Sequence, residues 1–244
     1  MSATVALALS PHLDDAVFSC GGMLARLASN GWRVVVATLF TESVPDPTGF
    51  ALACQTDKGL GPDVDYMALR RQEDAAALAA LGAEPVWMPF REAPHRGYGS
   101  AAALFAAPLP ADDAIVTDLA QAIAGLCAML APRLLLAPQA IGGHVDHVRT
   151  IEAIDRAAPA IPVLRWRDFP YDLREAVPPE PFGSRFAGLP ARDVALTPTE
   201  RDAKRAACLA YGSQLGFQFG GAAGLDAMLD RAGPVERFRG EAIP

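Results

Sequence analysis

Apolar residues recur along this chain in two rhythms. Short apolar runs at 5–9, 33–39, 86–88, 134–136 and 163–166 predict strands, the second of them rich in valine. Between the runs, apolar positions return at helical spacing. Val17, Cys20, Leu24 and Leu27 predict a helix over 16–28. Leu69, Ala76, Leu78 and Leu81 predict one over 66–81 that Gly82 closes. Ile115, Leu119, Ile123, Leu126 and Leu130 share one face of a helix over 112–130, which Pro132 ends, and 148–157 is a further helix. Residues 194–196 make a last short strand. Thr197-Pro198-Thr199-Glu200 is a capping box with proline at the first helical position, so a helix runs from there through Tyr211.

Segments 41–65, 90–110 and 168–192 are rich in proline and glycine and read as three long loops, a length that usually marks a functional role. The tail from Gly212 onward is glycine-rich and carries no readable pattern. Strands alternating with helices predict an α/β, Rossmann-like fold, with a mostly parallel sheet flanked by helices. At 244 residues the chain suits a single domain over 1–244, with the long loops at the active site.

Chemistry gathers in two stretches. Ser10-Pro11-His12-Leu13-Asp14-Asp15 turns the corner from the first strand into the first helix. Gly142-Gly143-His144-Val145-Asp146-His147 follows the fourth strand and opens another helix. Three of the chain's four histidines lie in these two corners, both at carboxyl ends of strands, where ligands of such sheets bind. His12 and Asp15, three apart, can aim at one point, and either His144 or His147 can complete a set of two nitrogens and one oxygen. Catalytic zinc sites commonly hold three such ligands and leave a position open. Asp14 is then free as general base on the water the ion activates, and the remaining histidine can serve the oxyanion or the leaving amine. Asp146 suits a carboxylate that orients an imidazole. The competing reading is that Asp14 and Asp15 only cap the first helix.

A net charge of −7 without a Lys/Arg-rich run excludes nucleic acid as the main partner. Cys20, Cys54, Cys127 and Cys208 form no Cys-x-x-Cys pair and read as reduced, packed thiols. No apolar stretch approaches the ~20 residues of a membrane span, and the first apolar run is too short for a signal sequence. The expectation is therefore a soluble, cytoplasmic protein with no membrane partner, for which a homo-oligomer remains open. His95 has no partner motif and reads as solvated. Gly21 and Gly22 read as close packing of the first helix on the sheet. Tyr98, Trp166 and Tyr171 are candidates for stacking on a ligand, with core packing the alternative for Trp166.

At His12-Leu13-Asp14-Asp15 and His144-Val145-Asp146-His147 the sequence resembles the LmbE-like, or PIG-L, family of metal-dependent sugar de-N-acetylases. Cys20-Gly21-Gly22, Arg70-Arg71-Gln72-Glu73 and the stretch from Lys204 to Tyr211-Gly212-Ser213-Gln214 extend the likeness over roughly residues 4–215. The resemblance implies Zn2+, or another divalent transition metal, on His12, Asp15 and His147. It implies Asp14 as base, His144 as the group polarising the carbonyl or protonating the amine, Asp146 as its support, and Arg70 as a substrate contact. The implied substrate is a small molecule or glycoconjugate bearing an N-acetylglucosamine-type sugar. Leu13 replaces the family's usual proline. Gly142 stands where some members carry an aromatic hydroxyl, which leaves more of the oxyanion's stabilisation to His144 and the metal. Rival expectations are an amidase for another sugar-linked amide such as a thiol-sugar conjugate, a metal-dependent carbohydrate-binding module, and magnesium-based phosphoryl chemistry, the last disfavoured by the histidines.

Overall fold

Fully buried apolar strands need cover on both faces, and this chain supplies it with two helical layers. The computed structural model describes residues 3–174 and 177–240, apart from the side chains of Pro110 and Asp113. In chain order the elements are β1 (Val5–Ser10), α1 (Asp15–Ser29), β2 (Arg33–Thr38), α2 (Gly49–Thr56), α3 (Tyr66–Leu81), β3 (Ala83–Trp87), α4 (Asp113–Leu130), β4 (Leu134–Pro138) and α5 (Val145–Ala157). Then follow β5 (Val163–Trp166), α6 (Tyr171–Arg174), α7 (Gly183–Phe186), β6 (Ala191–Ala195), α8 (Pro198–Leu209), α9 (Gly212–Phe219), α10 (Ala222–Ala232) and β7 (Val235–Arg239).

One seven-stranded sheet runs in the order β3-β2-β1-β4-β5-β7-β6. Pairings from β3 through β5 are parallel, and β7 lies antiparallel between β5 and β6. Side chains alternate across β1. Ala6 and Ala8 face the layer that carries Leu24, Leu78 and Cys208, while Leu7 and Leu9 face Leu119, Ile123 and Ile154. From β1 the chain winds outward to β2 and β3, then returns to β4 on the other side of β1. This reversal opens a crevice at the carboxyl ends of β1 and β4, the usual ligand position in doubly wound sheets.

The predicted α/β architecture is thus present, with corrections. The 41–65 loop contains α2; its prolines and glycines lie at or beyond the two ends of that helix. The tail contains α9, α10 and β7, because Gly220 and Gly233 end helices at positive φ. The helix begun by the capping box stops at Leu209, and Gly212 starts a new one. Among the described residues no helix is long and apolar enough to cross a membrane.

The tail also repairs α1. Cys20 (φ −136°, ψ 25°) breaks α1 and releases main-chain donors. The Glu236 carboxylate of β7 accepts from Gly22 N (2.9 Å) and Met23 N (2.8 Å), and the Lys204 ammonium donates to it at 2.8 Å. A Cβ at Gly22 would lie 2.6 Å from a Leu196 methyl group, so a side chain there would have to displace that leucine. At Gly21 the nearest atom is a Lys204 methylene, 3.2 Å from where a Cβ would be. These glycines therefore let α1 approach α8, Leu196 beyond β6 and the Glu236 carboxylate of β7 closely.

Candidate metal centre and active-site cavity

Three strand ends build the site. After β1, the Ser10 hydroxyl donates to His12 O (2.7 Å) and accepts from Ala16 N (3.1 Å), tying off the corner. Asp14 takes φ 146° there, a conformation that costs a non-glycine residue about 1–3 kcal/mol. Its side chain makes no capping bond to α1, and Asp15 Oδ2 accepts from His12 N at 2.8 Å. The two acids are thus not simple helix caps. After β4, Ala140, Gly142 and Gly143 all have positive φ and swing the chain into α5. His144 is the N-cap, its Nδ1 accepting from Asp146 N at 3.2 Å, and the first turn buries Asp146 and His147. After β5 comes Asp168, also buried.

These ends converge. Asp15 Oδ2 lies 3.2 Å from His12 Nδ1 and 3.1 Å from His147 Nε2. Ligand atoms of His12, His144 and His147 all lie within 4.8 Å of one another. The far nitrogen of each flanking imidazole is held by a carboxylate: His12 Nε2 donates to Asp146 Oδ2 and His147 Nδ1 to Asp168 Oδ1, both at 2.9 Å. Asp146 Oδ2 also accepts from Ala93 N (3.1 Å), and Arg96 approaches Oδ1 at 2.7 Å. Asp168 Oδ2 accepts from Gln139 N and Ile141 N. The implied pairing of the Asp146 carboxylate with His144 is therefore corrected. Only the Asp146 main-chain N–H reaches His144; the carboxylate points across to His12 and Arg96.

The residues fit a divalent cation. His147 Nε2 is buried without a hydrogen-bond partner, directed at the shared point with His12 Nδ1 and Asp15. Carboxylate-backed imidazoles with one free nitrogen are the usual donors of such sites. The local field also favours positive charge. Burial opposes it, yet Asp15 and Asp168 lift His147 to about 9. Against the same burial penalty, bonds to Asp146 and Asp15 hold His12 well above its ordinary value. Asp15 is held well below the usual carboxylate range by His147 and His12, despite its burial. A cation can replace the protons that this cluster attracts.

Two groups stand apart electrostatically. Burial pushes Asp14 up to about 7, although Arg70 works against the shift. Burial, together with the neighbouring His12, lowers His144 to about 3, so its imidazole is neutral. Because Nδ1 accepts from a main-chain N–H, the His144 proton sits on Nε2.

A cavity of about 300 Å³ opens over His12, Asp14, Asp15 and His144. Arg70 lines it but is buried, donating to Glu92 Oε1 (2.6 Å) and Leu13 O (2.9 Å) and lying 3.4 Å from Asp14 Oδ1. Tyr171 also lines it, passing beside Gly142, where a Cβ would meet the Tyr171 Cβ, Cγ and Cδ1 at 3.1 Å. Glycine at 142 is thus required by both its φ of 93° and this ring. Trp166 and Tyr98 are buried in the core and are removed as sugar-stacking candidates. His95 is half-buried at the end of the turn Ala93–His95, outside the cluster. Cys20 is buried at the α1 kink, where burial raises its thiol well above the ordinary value.

All seven predicted site residues, His12, Asp14, Asp15, Arg70, His144, Asp146 and His147, meet around this crevice. Sequence reasoning missed Asp168, Arg96 and Glu92. Asp168 had a signal, its place two residues beyond a predicted strand; the other two sit in the 90–110 loop, where no periodicity marks them.

The family model described as PIG-L, GlcNAc-PI de-N-acetylase, matches residues 7–158. A 2'-N-acetylparomamine deacetylase from Streptomyces fradiae is 31% identical over 176 residues, 70% of this chain and 59% of that protein, so this chain spans less than two thirds of that relative. A 2'-N-acetylparomamine deacetylase from Niallia circulans is 29% identical over 87% of this chain and 81% of its own length. Among solved structures, the zinc-inhibited form of the teicoplanin deacetylase Orf2 is 29% identical, with a TM-score of 0.84 and 97% of each chain covered. With a family model spanning more than half of its length, and the two histidine-aspartate corners that carried the resemblance set face to face, this chain belongs to the PIG-L family of sugar de-N-acetylases.

Proposed function

We propose that the protein is a zinc-dependent hydrolase that removes the N-acetyl group from an N-acetylglucosamine-type sugar in a small molecule or glycoconjugate. The supporting observation is the convergence of His12 Nδ1, Asp15 Oδ2 and His147 Nε2, the last an orphaned buried nitrogen, beside a carboxylate poised near neutrality. His12, Asp15 and His147 would hold the ion, which when bound supplies Lewis-acid polarisation and lowers the pKa of water to ~7.

Asp14 accepts the proton of the attacking water and returns it to the amine nitrogen as the C–N bond breaks. A carboxylate near 7 in an enclosed site is matched to that task at neutral pH, and Arg70 keeps it ionised and in place. His144 donates from Nε2 to the acetyl oxygen as negative charge develops there; its tautomer, with Nδ1 taken by a main-chain N–H and the proton on Nε2, suits a donor better than a ligand. Asp146 and Asp168 fix the rings of His12 and His147 so that their other nitrogens face Asp15, where they would hold the ion. Arg70, which lines the cavity, is assigned the contact with a sugar oxygen. We place the enzyme in the cytoplasm, in keeping with its four free cysteines.

The test is acetate release from an N-acetylglucosaminide, before and after chelation and zinc repletion. Acetate lost on chelation and restored by zinc supports the reading. Release of a larger acid from a thiol-sugar amide in its place, or sugar binding without turnover, overturns it.

A further inference from the structure

Among the exposed large apolar side chains described, Phe105 and Phe217 line the cavity, at 47% and 59% exposure. Phe50 and Leu104, less exposed, complete the cavity's apolar wall. The wall reaches the reacting end at Phe105, whose ring meets His144 edge-on with centroids 5.4 Å apart. Apolar rings kept in water beside a polar catalytic floor mark a surface that a ligand covers.

Charge narrows the ligand's chemistry. Lys58 Nζ sits over the Phe217 ring at 4.6 Å, and the Arg174 guanidinium over Tyr171 at 4.9 Å. The inner carboxylates have cationic neighbours, Arg70 for Asp14 and Glu92 and Arg96 for Asp146. Among the described lining residues, the outer acid is Asp57. Nothing in that wall attracts a row of ammonium groups.

We propose that the acetylated sugar arrives on an apolar aglycone, neutral or anionic, which lies against Phe50, Leu104, Phe105 and Phe217; polyammonium acceptors are disfavoured. The proposal rests on the de-N-acetylase reading and specifies the substrate class of that same site.

The experiment compares kcat/KM for acetate release by the zinc-loaded full chain from free N-acetylglucosamine, its phenyl glycoside and its 6-aminohexyl glycoside. The phenyl glycoside is expected to exceed the free sugar about tenfold, mainly through KM, the factor carried by on the order of 60 Å² of apolar burial. The aminohexyl glycoside should gain nothing. Phe217→Ala should bring the phenyl-to-free-sugar ratio toward one, whereas a folding defect would lower all three rates alike. Equal values for the three substrates, or preference for the aminohexyl glycoside, overturn the proposal. Calorimetric affinities of the same compounds for Asp14→Asn decide it even without turnover. Tighter phenyl glycoside binding supports the apolar subsite and equal binding overturns it, while absence of acetate from every wild-type reaction counts against the parent reading alone.

Discussion

His147 Nδ1 donates to Asp168 at 2.9 Å, and this bond turns the ring's other nitrogen, buried and unpartnered, toward Asp15 Oδ2 at 3.1 Å. Asp168 also accepts two main-chain N–H groups at the end of β4, so the imidazole is braced against the sheet itself. Asp168→Asn can keep those main-chain bonds while losing the charge behind the ring. Its zinc affinity, read by chelator competition, should fall about 10–100-fold. Unchanged affinity would deny Asp168 its orienting role.

Asp14→Asn keeps the shape of a residue held at φ 146°, which asparagine tolerates better than most. Turnover should drop by about 10²–10⁴-fold while bound zinc per chain stays at the wild-type level. Loss of zinc together with turnover would make Asp14 a ligand instead of the base.

Glu236 supports α1 from a strand more than two hundred positions away in the chain. Glu236→Ala strands the buried Lys204 ammonium and two main-chain donors, at a cost of about 3–5 kcal/mol in urea unfolding. Adding Lys204→Met should recover part of that loss, because the orphaned charge goes with it. A single variant as stable as wild type would contradict the repair of the kink.

Gly142→Ala would place a methyl group 3.1 Å from Tyr171 at a φ of 93°. A destabilisation of about 1–3 kcal/mol is expected, with a higher KM as the ring shifts in the cavity. Wild-type stability and KM would mean that the ring has slack.

Two hydrogen bonds from Arg26, with help from the Thr197 cap, hold the Glu200 carboxyl at about 2, below its ordinary 4.5. The lowered value means that the folded state gains from this pair above pH 4.5 and loses the gain as pH falls toward 2. The Tm gap between wild type and Glu200→Gln should be full at pH 7 and shrink through that window. A gap independent of pH would assign the stabilisation to the capping geometry alone.

The sequence made some parts of this molecule plain and hid others for physical reasons. β1 and β4 were legible because central parallel strands are apolar on both faces, and the site was legible because histidine and aspartate follow directly on such runs at both corners. Asp168 went unseen because a lone acid after a short strand looks like any loop residue. α9, α10 and β7 went unseen because the tail's glycines, which masked any readable pattern, are helix stops. Glu236 could not be found from sequence at all, since its partners, Gly22, Met23 and Lys204, are defined only by the kink at Cys20. The direction of the Asp146 side chain was equally hidden, because a residue in a helix's first turn can face either neighbouring imidazole.

The central claim is that the corners after β1 and β4 jointly grip one divalent ion. Metal analysis of dialysed wild type beside His147→Ala tests it most directly. About one zinc per chain in the wild type and a small fraction of that in the variant is the expected result. Equal zinc in the two proteins, or none in either after zinc loading, would contradict it.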